Sequence, residues 1–261
     1  MGLFHDRAAV LFDAGDTLLH VWMLKTQRFE WLCRGAELEC ELPECRTLWR
    51  RAARVHECYC QLGRRRSDYR SEEFWLEANE QALRALKVTP RAGSPPERAW
   101  LRKQAARLSL WAGKLGSRGR HFALDPAAPP LLETLKQQGF ALAVVSNWAG
   151  DLEEHLAEAG LLMYFDVVAD SHWVGHRKPE PEIFWWALER LRIEPAEAVH
   201  VGDSFGPDVH GAQAAGLGGA VLVDPFDLHE ELRSHYGPGP APRTAFSLEV
   251  VQSLAELGGF A

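Results

Sequence analysis

The residues of this chain that could do chemistry fall in four short motifs. Each motif ends a hydrophobic run or lies in a loop close to one. The motifs contain Asp13 and Thr17, then Ser146 and Asn147, then Lys178, and finally Asp203 and Asp208. A carboxylate nucleophile, acidic ligands for a hard cation, a fixed lysine and hydroxyl donors are the groups that phosphoryl transfer uses. The motifs therefore favour hydrolysis of a phosphate ester, with Asp13 as the nucleophile.

The residue types suggest a division of roles within the site. Asp13 and Asp203 could together hold Mg²⁺, which prefers oxygen ligands. Lys178 would supply a fixed positive charge, and the Ser146 hydroxyl would donate a hydrogen bond to the phosphate. Thr17 could stabilise its turn or donate to the phosphate.

Two further polar residues are open to more than one interpretation. Asn147 could shape a turn or contact the substrate. Asp208 could be a helix N-terminal residue that the helix dipole favours, or a functional carboxylate. In both cases the functional interpretation rests on the neighbouring motif.

Hydrophobic runs define the elements that must position these groups. Runs at 8–13, 140–147 and 198–203 predict strands, and weaker runs occupy 164–168 and 219–223. Because they are nearly continuous and do not alternate, they are typical of a parallel sheet that is covered on both faces. Helical patterns at 130–138, 152–159, 182–190 and 208–215 alternate with them. The expected fold is α/β, a doubly wound, Rossmann-like parallel sheet that binds ligands at the carboxyl ends of its strands.

The stretch from 20 to 118 has a different pattern. It contains no convincing strand and predicts amphipathic helices at about 23–36, 44–61, 71–87 and 96–111. An insert of this size is too large for a loop. We therefore expect an α/β hydrolase core at 1–19 and 119–261 and a helical cap domain at 20–118, with a surface loop at 237–242 before a short last helix.

Composition limits the remaining possibilities. The 261 residues are 46% hydrophobic and 25% charged, which is typical of a globular protein with an ample core. A net charge of −7 argues against nucleic acid as a partner, and no run suggests a membrane span or a signal peptide. The expected partner is a small phosphorylated substrate, and the expected location is cytoplasmic. The five cysteines, all within 33–60, fit reduced thiols better than a zinc site. The oligomeric state stays open.

The same motifs resemble a known superfamily. Residues 11–18, 144–147, 178–184 and 199–208 are similar, in this order, to the four motifs of haloacid dehalogenase-like hydrolases. The resemblance covers 8–18 and about 125–225, and indicates the branch with a helical cap after the first strand. It implies that Asp13 is the nucleophile. It also implies that Mg²⁺ is held by Asp13, the Gly15 carbonyl and Asp203, with Asp208 as a further ligand or a partner of Lys178.

One position departs from the superfamily pattern. Its phosphatases usually have a second aspartate, the general acid and base, two residues after the nucleophile, where this chain has Gly15. Asp16 is a candidate substitute. A phosphatase is the leading hypothesis, and the alternatives are a 2-haloacid dehalogenase-type hydrolase and a catalytically weak or non-enzymatic binding protein. Trp22 or Trp148, which follow motif residues closely, could line the substrate pocket.

Overall fold

The structure, a computed structural model, describes residues 4–21, 55, 72–85, 97–116, 122–241 and 245–259. The predicted helices at 23–36 and 44–61 lie outside these residues, apart from Val55, which is helical. The five cysteines and Trp22 also lie outside them.

The chain divides into two compact units. The core unit comprises Met1–Val21, Phe122–Pro225 and His229–Ala261, and the insert unit comprises Trp22–His121 with Phe226–Leu228. Within the insert unit, helices α1 (Glu72–Ala85) and α2 (Glu97–Gly116) contact each other. Arg102 of α2 donates to both carboxylate oxygens of Glu73 in α1, at 2.5 and 2.6 Å. That the insert acts as a cap stays a prediction.

A six-stranded sheet forms the centre of the core unit. Its six strands are β1 (Ala9–Phe12), β4 (Ala141–Ser146), β5 (Val167–Asp170), β6 (Ala198–Gly202), β7 (Gly219–Val223) and β8 (Ser247–Val251). A separate antiparallel pair consists of β2 (Leu19–Val21) and β3 (Phe122–Leu124). The order in the sheet is β5-β4-β1-β6-β7-β8, and every neighbouring pair is parallel. The predicted parallel α/β fold is confirmed. β1 lies between β4 and β6, so the residues that follow these three strands meet at one edge.

Helices cover both faces of this sheet. They are α3 (Ala128–Gln137), α4 (Leu152–Glu158), α5 (Ser171–Val174), α6 (Pro181–Leu191), α7 (Gly211–Ala215) and α8 (His229–Tyr236). Successive side chains of a strand point to opposite faces. In β6, Val199 and Val201 pack with Leu132 of α3, whereas the ring of His200 packs against Phe184 of α6 at 5.1 Å. This alternation buries the side chain of His200 between the sheet and α6.

The structure corrects several predicted boundaries. The weak run at 164–168 is a 3₁₀ turn at Leu162–Tyr164 followed by β5, and the helix predicted at 208–215 starts as a π-helix at Phe205–His210 before α7. The sequence prediction missed β8, which is an edge strand with exposed Ser247 and Leu248 and so lacks the buried pattern. The last helix is a 3₁₀ segment, Leu254–Gly259. Among the described helices, none combines the length and the hydropathy that a membrane span requires.

Candidate active site

Asp13 is the residue on which the predicted motifs converge. It follows β1, and its backbone N–H donates to the carbonyl of Val201 in β6 at 2.8 Å. Its carboxylate Oδ1 accepts hydrogen bonds from Ser146 Oγ at 2.9 Å and from Lys178 Nζ at 2.6 Å. Both donors bond the same oxygen, so they fix the orientation of the carboxylate and leave Oδ2 without a donor among the described residues.

Lys178 connects two carboxylates inside the protein. Its Nζ also donates to Asp208 Oδ1 at 2.6 Å, and only 2% of the side chain is exposed. Asn147 fixes the backbone of this lysine: its Oδ1 accepts from Lys178 N at 2.8 Å, and its Nδ2 donates to Lys178 O at 2.9 Å. The amide of Asn147 therefore positions Lys178, and a contact between Asn147 and substrate stays a prediction.

Asp208 is fixed from three directions. Besides Lys178, His200 Nε2 lies 2.9 Å from Oδ1, and the Ser204 N–H donates to Oδ2 at 2.8 Å. Gly202 leaves room for this carboxyl group, since a Cβ there would be 2.5 Å from Asp208 Oδ2. Sequence reasoning missed His200. Its signal is a histidine within the apolar run of β6, where a polar group requires a buried partner.

Three acidic residues form a cluster that could hold a metal ion. Oxygen atoms of Asp13, Asp203 and Asp208 all lie within 4.8 Å of one another, and all three residues are buried. Thr17 is also buried, and its hydroxyl has no hydrogen-bond partner among the described residues.

Burial and the neighbouring charges shift the pKa values of Asp13, Asp208 and Lys178. Burial raises the pKa of Asp13 to about 7; Lys178 opposes this shift, while the negative charges of Asp208 and Asp203 add to it. Burial alone would also raise the pKa of Asp208, but Lys178 and His200 hold that pKa well below its usual range. Although burial disfavours the charged lysine, Asp13 and Asp208 raise the pKa of Lys178. The charged forms of Lys178 and Asp208 therefore stabilise each other as an ion pair. In Asp13, by contrast, burial and the neighbouring carboxylates favour the protonated form.

His200 differs from the other groups because burial lowers its pKa and outweighs the hydrogen bond to Asp208. The ring is therefore neutral near pH 7. Because a carboxylate only accepts hydrogen bonds, neutral His200 donates its Nε2–H to Asp208.

Asp16 has a different environment from the cluster. Its φ is 60°, its N–H donates to Leu19 O at 2.8 Å, and its Oδ1 lies 3.8 Å from His20 Nδ1. His20 Nε2 lies 3.0 Å from Asp125 Oδ2. Burial opposes protonation of His20, but its hydrogen bond with Asp125 and the nearby negative charge of Asp16 raise its pKa. The use of Asp16 as a substitute acid stays a prediction.

Comparison with known proteins identifies similar sequences. A family model described as haloacid dehalogenase-like hydrolase matches residues 8–216. The chain is 32% identical over 158 residues to haloacid dehalogenase-like hydrolase domain-containing protein 3 of Bos taurus, a match that covers 60% of this chain and 59% of that protein. It is 42% identical over 106 residues to a phosphoserine phosphatase of Thermus thermophilus, covering 40% and 42%. The chain thus matches less than two thirds of the length of these relatives.

A solved structure has a similar fold. It is a HAD-hydrolase of Bacillus subtilis bound to magnesium, with a TM-score of 0.52 and 21% sequence identity. The match covers 97% of this chain and 98% of that one.

The raised pKa of Asp13 predicts a specific pH dependence of stability in metal-free protein. An aspartate in an unfolded chain ionises near pH ~4, whereas folded Asp13 ionises at about 7. Between these values the folded state binds more protons, so this group makes the protein less stable as pH rises. We expect urea unfolding in EDTA to show this loss from pH 5 to pH 8 in the wild type, and a smaller loss in Asp13→Asn. The difference in unfolding free energy between the two should change by roughly 1–3 kcal/mol. Parallel pH profiles would contradict the assignment.

Proposed function

Because this chain belongs to the haloacid dehalogenase-like hydrolase family, we propose that it is a Mg²⁺-dependent phosphatase that hydrolyses a small organic phosphate. One observation carries the proposal: Asp13 is buried within a cluster of three carboxylates and is bonded by both Ser146 and Lys178. The similarity to a phosphatase of Thermus thermophilus supports the same reaction class.

The residues present fit a divalent cation. They offer only oxygen atoms, the ligands that Mg²⁺ prefers. The negative charges of Asp203 and Asp208 raise the pKa of Asp13, and a cation beside them would lower it. We propose that Asp13, the Gly15 carbonyl and Asp203 hold the ion. The structure pairs Asp208 with Lys178, which favours a supporting role for Asp208 over direct ligation. Bound Mg²⁺ would offset repulsion between the nucleophile and the phosphate and polarise the phosphoryl oxygens.

In the proposed first step, Asp13 Oδ2 attacks phosphorus. The bond between phosphorus and the ester oxygen breaks, and the leaving group departs with the electron pair. Ser146 and Lys178 hold Oδ1, which aims the other carboxylate oxygen at the substrate. Lys178 and the Thr17 hydroxyl stabilise the phosphate oxygens. In the second step, water attacks phosphorus, and the bond between phosphorus and Asp13 Oδ2 breaks with its electron pair returning to the carboxylate. Both protons of the water leave with the product, which is released as dihydrogen phosphate.

Gly15 shapes the substrate range of this proposal. A glycine cannot protonate the leaving oxygen, and general acid–base help is typically worth ~10²–10⁴ in rate. Aryl and acyl phosphates, whose leaving groups depart without a proton, should therefore be better substrates than alkyl phosphates. The insert unit is proposed to act as the helical cap that selects among them.

A phosphate-release assay tests metal, nucleophile and reaction class together. We expect Mg²⁺-dependent hydrolysis of p-nitrophenyl phosphate that EDTA abolishes. Asp13→Asn should lower kcat by at least ~10³-fold, because the nucleophile is lost. The matched control is Asp6→Asn, since Asp6 is 87% exposed and its φ of 62° is one that asparagine tolerates. Halide release from a 2-haloacid that EDTA leaves unchanged would instead indicate the dehalogenase.

The two hydrogen bonds between the Asn147 amide and the Lys178 backbone lead to a second prediction. Asn147→Ala removes both bonds to the Lys178 backbone and should lower kcat roughly 10- to 100-fold through misplacement of Nζ. Asn147→Asp keeps the acceptor for Lys178 N but loses the donor to Lys178 O, so its kcat should lie between those of the wild type and Asn147→Ala. A change in KM alone, with kcat unchanged, would show that Asn147 contacts substrate and does not position the lysine.

A further inference from the structure

The space beside Gly15 is occupied by an aromatic ring. A Cβ atom built on Gly15 would lie 3.4 Å from Cζ3 of Trp148, which is a van der Waals contact. The φ of Gly15 is not positive, so its backbone would accept other residues. A larger side chain at position 15 would therefore have the indole ring as a neighbour. The ring therefore lines one side of the space next to position 15.

Trp148 is close along the chain to a hydrogen-bond partner of the nucleophile. It lies two residues after Ser146, whose hydroxyl donates to Asp13 Oδ1 at 2.9 Å. Gly15 lies two residues after Asp13 itself. The ring thus lies beside position 15, where the residues that follow β1 and β4 meet.

Its surroundings hold the ring in place. The backbone N–H of Trp148 donates to Ser171 Oγ at 3.1 Å, and that hydroxyl donates to the backbone carbonyl of Trp148 at 3.2 Å, which fixes the backbone that carries the ring. The indole lies 5.0 Å from the ring of Phe122 and 6.0 Å from the ring of His155, centroid to centroid. Trp148 is nevertheless only half-buried. Trp148 thus packs against neighbouring rings and remains partly accessible to solvent.

We propose that Trp148 is a specificity-determining residue that binds the leaving group of aryl phosphates by ring stacking. The proposal rests on the proposed phosphatase function and names its substrate class, phosphate esters of aromatic alcohols. Position 15 offers no proton to the leaving oxygen, and a phenolate leaves without one. The Trp148 ring beside that position can stack on an aromatic leaving group. The missing acid and the aromatic ring therefore favour the same substrates, aryl phosphates.

Two substrates separate stacking from leaving-group acidity. p-Nitrophenyl phosphate and acetyl phosphate both have leaving groups that need no proton, but only the first is aromatic. We expect Trp148→Ala to raise KM for p-nitrophenyl phosphate roughly five- to tenfold and to change KM for acetyl phosphate less than about twofold. Trp148→Phe should retain most of the preference. Trp185→Ala is the matched control, since this partly buried tryptophan donates its indole N–H to Ala215 O on another part of the core. Equal changes for both substrates would overturn the proposal.

A binding measurement makes the test independent of turnover. In the presence of Mg²⁺, phenylphosphonate should bind wild-type protein several-fold more tightly than methylphosphonate in calorimetry, and Trp148→Ala should remove that difference. If the preference is present but no phosphate ester is hydrolysed, the phosphatase proposal fails and the aromatic site stands. If both phosphonates bind equally well to the wild type, the aromatic site is refuted whatever the activity.

A double variant tests the steric premise. Gly15→Asp alone would place its carboxyl group beside the indole, whereas Gly15→Asp with Trp148→Ala removes that neighbour. We expect the pair to raise hydrolysis of β-glycerophosphate, an alkyl ester, at least tenfold above the product of the two single fold-changes. A fold-change equal to that product would show that the ring does not hinder an acid at position 15.

Discussion

The buried bridge from Asp13 through Lys178 to Asp208 is the interaction on which the rest of the site depends. A lysine that is 2% exposed is stable in its charged form only when carboxylates surround it. Asp208 remains ionised because Lys178 and His200 both bond its Oδ1. Asn147 holds the lysine backbone from the neighbouring strand. Removing any one partner would therefore leave a buried charge or donor unsatisfied.

The parallel sheet makes this bridge possible. β1 lies between β4 and β6, and all three run in the same direction. Asp13, Ser146 and Asp203 consequently emerge at a single edge, although more than 100 positions separate the first from the others. The interior position of His200 follows from the same geometry, because its neighbours in β6 face the opposite layer. The fold thus supplies both the reacting groups and their support.

The nucleophile has an electrostatic environment that a cation would complete. Lys178 lowers the pKa of Asp13, but burial and two neighbouring carboxylates keep it raised. On the proposed function, Asp13 and Lys178 would bind the phosphate group, and the Trp148 ring would contact the leaving group. Gly15 has no side chain, and the Trp148 ring packs next to it.

The sequence by itself determined the fold class and the candidate residues, because buried parallel strands are nearly continuous hydrophobic runs and their polar ends are visible as motifs. It did not determine β8, whose exposed edge residues carry no buried pattern. It also did not reveal that Asn147 bonds the Lys178 backbone, that His200 supports Asp208, or that Trp148 packs over Gly15. These contacts join residues from different elements, and the direction of each side chain depends on strand register and helix packing. Local sequence patterns specify which residues face the interior, but only the tertiary structure decides which of them meet.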